Sequence, residues 1–346
     1  MTEIREYEPA GCDPRTIVLG ADGSEHSRWA LKWAADQAKR TGSLLRVLCA
    51  PIAEPQNTPG WYEADSNLSP EEAIADDACA LAATRHPSVL ARAETVRSTP
   101  AKALIEASRS AELLVVGARG RGGFKELLLG SVSDQCIQHA SCPIVVVHAD
   151  PDERPLKAAE PRIVVGLDGS LGSTRALTWA LHEAKARSAS VLGIHAWQFP
   201  PIGTFLLGPR SGCEAAAREI LGAAADYAAE RAPSVPFEGV SPCEDTVSAL
   251  VERSVGAELL VVGSHGHRGV KGALIGSVAH QCARLATCAV VVARLDAFDP
   301  DPELTIQGKR SHPSVDPYQG QGPTHQAMIS SQASIEQGIS RRMRPS

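Results

Sequence analysis

The feature that most constrains this chain is that it repeats itself once. Displaced by 146 residues, "IVLGADGSEHSRWALKWA" (17–34) falls on "IVVGLDGSLGSTRALTWA" (163–180). By the same step, "ELLVVGARGRGGFKELLLGSV" (112–132) falls on "ELLVVGSHGHRGVKGALIGSV" (258–278). Asp22 maps to Asp168, Trp33 to Trp179, Gly117 to Gly263, Gly130 to Gly276 and Cys142 to Cys288. In each copy 95 residues separate the Asp from the first glycine of the loop. One repeat of this length means two related domains rather than a short-period solenoid.

The expected division is a first domain over 1–148, a linker over 149–160, a second domain over 161–296 and a tail over 297–346. "HADPDERPLKAAEP" (148–161) is charged, Pro-rich and without an apolar stripe, as a linker would be. The tail is polar, rich in Pro, Gly and Gln, ends in the basic "RRMRPS", and is expected to be disordered.

Within one copy, apolar runs ("TIVLG", "SLLRVLCA", "ARAETVRS", "LLVVG", "CPIVVVH") alternate with helical patterns such as "SRWALKWAADQAKRTG" and "GSVSDQCIQHA". Alternating strands and helices predict an α/β fold. Each domain would be a five-stranded parallel sheet, Rossmann-like, with helices on both faces. Ligands of such sheets sit beyond the C-terminal strand ends, at the switch in strand order. Both Asp22 and the glycine-rich loop fall at such ends.

Composition removes several function classes. The net charge of −6 and pI near 6.0 point away from nucleic acid and anionic membrane surfaces. No apolar run approaches the roughly 18 residues of a membrane span, and "MTEIREYEPAGCDPR" is no signal peptide. A cytoplasmic location is expected. The nine cysteines include no CxxC pair, so a zinc ribbon or thioredoxin-type centre is not expected. They read as small, reduced core residues, although 136/142 and 282/288 repeat one spacing.

The loop carries the chemistry. Gly117, Gly120, Gly130 and Ser131 form G-x2-G-x9-G-S, and Gly263, Gly266, Gly276 and Ser277 repeat it. Glycines admit a ligand close to the backbone, and the Gly-Ser pair opens a helix whose free N–H groups favour phosphate. The hydroxyls of Ser131 and Ser133 and the cations Arg119 and Arg121 can add contacts in the first copy; His265, His267 and Arg268 stand in the second. The loop is neither a Walker A sequence nor a Rossmann fingerprint. The histidines of "HGH" lack the partners of a zinc site, so no metal ligands are assigned. A plain turn with an ordinary helix cap remains open as the other reading of these glycines. Trp33 and Trp179 read as core packing, and His139 and His280 as structural.

On these residues (the "VGxDGS"-type strand end, the G-x2-G-x9-G-S loop and the "CPIVVV" final strand) both halves resemble universal stress protein domains, as a tandem pair of actinobacterial type. The resemblance covers roughly 14–148 and 160–295 and not the tail. It implies homotypic association through the last strand and, in one branch of the family, ATP binding; Mg²⁺ would accompany the phosphates, where Asp22 could hold it. Carried over, Asp22 and Asp168 would lie beside the adenosine. Cys49 and Ala50, and His195 and Ala196, would border the adenine through their backbone. Gly117, Arg119, Gly120, Gly130, Ser131, Val132 and Ser133 would hold ribose and phosphates in the first half. Gly263, His265, Gly266, Gly276, Ser277 and Val278 would do so in the second. The position matching Ser133 is Ala279, so the second half would lack one phosphate hydroxyl, and its histidines would make it pH-sensitive.

No arrangement that activates water or a nucleophile stands out. The expected function is a nucleotide-binding regulatory module in stress adaptation, with ATP as ligand, a homo-oligomer through the final strands and a protein partner. The competing expectations are a slow Mg-dependent ATPase or phosphotransferase, and a nucleotide-free interaction scaffold.

Overall fold

The structure, a computed structural model, describes residues 15–51, 69–121, 128–153, 160–198, 210–266 and 275–294. His267, Arg268 and the tail over 297–346 lie outside the described residues. The first half runs β1 (Thr16–Gly20), α1 (Glu25–Thr41), β2 (Leu44–Cys49), α2 (Pro70–Arg85), β3 (Ala91–Thr95), α3 (Pro100–Ala107), β4 (Leu113–Gly117), α4 (Ser131–His139) and β5 (Ile144–Val147). The second runs β6 (Arg162–Gly166), α5 (Leu171–Arg187), β7 (Ser190–Ile194), α6 (Arg210–Arg231), β8 (Phe237–Val240), α7 (Thr246–Arg253), β9 (Leu259–Gly263), α8 (Ser277–Leu285) and β10 (Ala289–Ala293).

Local chemistry sets the helix ends. Ser24 caps α1 by accepting from Ser27 N, and Gly42 ends it at φ 69°. Ser170 caps α5 in the same way, but that helix ends at Ser188, a non-glycine at φ 52°. Ser69 and Glu72 form a capping box on α2, with Pro70 in its first turn. The strands "LLVVG" and "IVVV" are buried on both faces, which is why they read as unbroken apolar runs.

The two expected five-stranded sheets are joined. The strand order is β3-β2-β1-β4-β5-β10-β9-β6-β7-β8, one sheet of ten strands. All pairs within a half are parallel; β5 and β10 meet antiparallel. Val145 pairs with Val291, its own repeat mate, with Ile144–Val292 and Val146–Val290 on either side. A local two-fold axis therefore passes through that pair. This corrects the expectation of a homo-oligomer through the final strands. Both edges of β5 and of β10 are already taken within the chain, so neither has a free ladder of N–H and C=O groups for a second copy.

Side chains at the axis meet their own mates. Gln37 Nε2 donates to Glu183 Oε1 at 2.6 Å, and His280 Nε2 lies 2.6 Å from Asp134 Oδ1. The ends of the final strands reach across as well: His148 bonds to the Ala283 backbone, and its mate Arg294 donates to the Ile137 carbonyl. The start of the expected linker is anchored to the first half. Lys32 Nζ lies 2.6 Å from Asp150 and 3.0 Å from Asp152, and Arg85 joins Asp152 (2.8 Å) to Asp36 (2.7 Å).

Candidate nucleotide site

In each half the strand order reverses between the first and fourth strands (β1/β4 and β6/β9), and the candidate residues gather at the C-terminal ends of those strands. Asp22 follows β1 directly. Its Oδ1 accepts from Ser24 N at 2.9 Å and its Oδ2 from Arg121 N at 3.0 Å. One carboxylate thus ties the start of α1 to the loop after β4. Ser24 adds a second tie, its Oγ donating to the Arg119 carbonyl at 3.3 Å.

The spacing of the loop glycines follows from close approach. A Cβ on Gly117 would stand 2.6 Å from the His26 carbonyl carbon, and one on Gly120 2.5 Å from Asp22 Oδ2. The loop closes where Gly130 N donates to the Ala118 carbonyl at 2.8 Å. Gly130 is the cap of α4, and no side chain caps that helix. The first amides of α4, at Ser131, Val132 and Ser133, therefore lack the side-chain acceptor that Ser24 supplies to α1.

Ser133 differs from its expected role. Its hydroxyl is buried and donates to the Gly117 carbonyl at 2.6 Å. Its proton serves a clamp between β4 and α4, so what Ala279 loses in the second half is that clamp. Cys49 and Ala50 are buried at the end of β2. Burial pushes the Cys49 thiol up to about 11, and the charges of Glu71 and Asp22 add to the shift. The thiol is therefore a neutral packing group. The Cys49 carbonyl accepts from Val96 N at 3.1 Å.

Sequence reasoning missed His26. Its Nε2 accepts from Arg119 Nε at 3.2 Å, and its ring lies 4.5 Å from that of Trp29. Burial, then the Arg119 charge, lowers its pKa, which keeps the ring an acceptor. A signal existed: the mate of His26 is Gly172, so the two copies differ there in chemistry, between the shared Asp-Gly-Ser and the shared serine at 27 and 173.

The second half repeats the frame with different side chains. Asp168 Oδ1 accepts from Ser170 N (2.9 Å) and Ser170 Oγ (2.5 Å), and Gly266 lies against Asp168 Oδ2. A Cβ on Gly263 would stand 2.6 Å from the Gly172 carbonyl carbon. His265 Nδ1 lies 3.1 Å from Ser264 Oγ. Gly276 N donates to the Ser264 carbonyl at 2.7 Å, and Gly276 heads α8 without a side-chain cap, ahead of Ser277 and Val278. His195, in the place of Cys49, lies with Nδ1 2.8 Å from the Leu167 carbonyl, and its amide donates to Val240 O. Ala196 follows it. The carbonyl can only accept, so Nδ1 carries a proton.

Among the described residues no group of three His, Cys, Asp or Glu could hold a metal ion, and no helix is long and apolar enough to cross a membrane. Buried thiols at Cys136, Cys142 and Cys282 are all pushed up to about 12, first by burial.

Known proteins share this frame. The universal stress protein family matches residues 14–148 and again 161–294. A universal stress protein of Mycobacterium tuberculosis is 34% identical over 290 residues, covering 80% of this chain and 96% of its own length. One from Mycolicibacterium smegmatis is 32% identical over 292 residues, with 80% and 96% covered. The crystal structure of a universal stress protein from Archaeoglobus fulgidus superposes with a TM-score of 0.56 at 20% identity, covering 81% of this chain and 96% of that one.

Proposed function

The chain belongs to the universal stress protein family, and from that premise we propose that it is an ATP-binding regulatory module with one candidate site in each half. One observation carries the reading. At both switch points an Asp carboxylate is packed against the second glycine of a loop that ends on a helix with no side-chain cap. Glycines held this close to other groups leave backbone, rather than side chains, facing a ligand. The uncapped helix start supplies N–H groups and a partial positive charge to phosphates.

In this reading the base borders Cys49 and Ala50, or His195 and Ala196. Asp22 or Asp168 accepts from ribose hydroxyls. Arg119 adds charge to the first phosphate subsite, where the second has His265. Mg²⁺ would arrive on the phosphates. Asp22 already accepts two backbone N–H groups, which suits a fixed acceptor better than a general base. That favours binding over turnover. Nucleotide would act by biasing one conformation or one interface and so shift what a protein partner meets.

The test is to purify the chain without added nucleotide, denature it, and quantify what is released. ATP at one or two per chain supports the proposal. ADP would favour a slow ATPase. No nucleotide, even after incubation with millimolar Mg-ATP, would leave the glycines as turns and the chain as a scaffold.

A further inference from the structure

The local two-fold axis makes each residue beside it a control for its mate, and one pair is unmatched. On one side, the Arg187 guanidinium lies 5.5 Å from the centre of the Trp33 ring. Its Nε lies 3.0 Å from Glu183 Oε2, its Nη1 3.3 Å from Glu258 Oε2 and its Nη2 3.0 Å from Gln37 Oε1. The Arg187 side chain is 6% exposed, and Trp33, which it covers, is 2% exposed. The guanidinium fills a site made of an indole face, two carboxylates and an amide.

Across the axis no arginine stands at the matching position; Gln37 and Glu183 are shared by the two sides, with Glu183 Oε2 facing Arg187 at 3.0 Å and Gln37 Oε1 accepting from Arg40 Nη2 at 2.8 Å. The mates of Trp33, Glu258, Glu183 and Gln37 are Trp179, Glu112, Gln37 and Glu183. The mate of Arg187 is Thr41, whose hydroxyl reaches only the Gln37 carbonyl (3.0 Å) and Ser43 Oγ (2.6 Å). A cavity of about 30 Å³ takes the place of the arginine head, bordered by Trp179, Glu112, Glu183, Gln37, Thr41 and His182. That is room for roughly two waters, about the bulk of a planar guanidinium. Trp179, uncovered, is partly exposed where Trp33 is buried. Glu112 accepts a hydrogen bond from Ser43 Oγ at 3.1 Å. Burial raises its pKa; Ser43, His182 and Arg15 act in the opposite direction, and Glu183 adds to the rise.

We propose that this cavity receives a guanidinium group, supplied by a small solute or by an arginine side chain of a peptide. The same residue types hold a guanidinium on the other side of the axis, which makes this more than an acidic pocket. A flat, weakly hydrated ion can stack on Trp179 while donating to Glu112; a compact ammonium can do only one of these well. The site does not involve the nucleotide loops, so it stands or falls separately from them.

The experiment titrates the full chain with methylguanidinium chloride in the millimolar range, followed by calorimetry and tryptophan fluorescence, against sodium and methylammonium chloride. Saturable binding of one methylguanidinium per chain, stronger than that of methylammonium, is expected. Thr41→Arg supplies the cation in cis; it should raise the melting temperature and weaken methylguanidinium by roughly tenfold or more. Glu112→Gln should weaken it as well without filling the cavity. N-acetyl-arginine amide binding more tightly than methylguanidinium identifies a peptide side chain as the source; weaker binding identifies a free solute. A response that rises linearly with concentration, or one unchanged in both variants, overturns the proposal.

Discussion

Ser133 and Ala279 differ by one oxygen, and that oxygen donates to a carbonyl rather than waiting for a phosphate. The two halves therefore differ first in this clamp between β4 and α4. Gly120 tests whether close approach matters. Gly120→Ala places a methyl 2.5 Å from Asp22 Oδ2, so the carboxylate must give up the Arg121 amide. Loss of such a bond costs about 1–3 kcal/mol. ATP affinity at the first site should fall roughly ten- to hundredfold, with far-UV circular dichroism unchanged; unaltered affinity by calorimetry would remove Asp22 from the site. A second residue sets a pH response. Burial lowers the His148 pKa from 6.5 to about 4, and its Nε2 is buried without a hydrogen bond. The folded chain binds this proton less readily than the unfolded chain. Stability is thus complete above about 6.5 and declines as the pH falls towards about 4, by about 3 kcal/mol at most. His26, also lowered, adds in the same direction. Urea unfolding at pH 7 and 4.5 should show the decline, and His148→Gln should flatten it.

At the scale of elements, the repeat offers matched pairs. Helices α1 and α5 have the same length and the same serine cap, yet α1 stops at Gly42 and α5 at Ser188. A left-handed conformation costs a non-glycine residue about 1 kcal/mol. Ser188→Gly should therefore raise stability by about 0.5–1 kcal/mol, read as a higher urea midpoint with the slope unchanged. Gly42→Ser should lower it by a similar amount. Helices α4 and α8 follow another rule: their glycine caps leave the first-turn amides without a side-chain acceptor, at some cost to helix stability.

At the scale of the molecule, the halves behave as partners made to fit each other. The residues that meet on the axis are unlike: Gln37 with Glu183, and Asp134 with His280. Two copies of the first half would oppose Asp134 to Asp134; two copies of the second would oppose Glu183 to Glu183 and His280 to His280. Asp134 against Asp134, and buried Glu183 against Glu183, are like charges that select against these homodimers. Residues 1–153 and 154–346, expressed separately and mixed, should form a 1:1 complex in size-exclusion chromatography. Homodimers of either half that persist after mixing would show that the axis contacts do not choose the partner.

Much of this was legible in the residues themselves. The 146-residue repeat and the alternation of apolar strands with capped helices determine two α/β halves, because periodicity and capping are local. The glycine spacing and the Asp after the first strand placed both candidate sites at strand ends, for the same reason. What only the tertiary structure decided depends on residues far apart in the chain. The pairing of β5 with β10 makes one sheet of two and takes up the edges that a homo-oligomer would use. The Ser133 clamp, the His26–Arg119 contact and the cavity opposite Arg187 are equally non-local. A sequence states which side chains exist; whether a hydroxyl meets a carbonyl, or a cavity stands where the other half has an arginine, is set by packing across the sheet and across the axis.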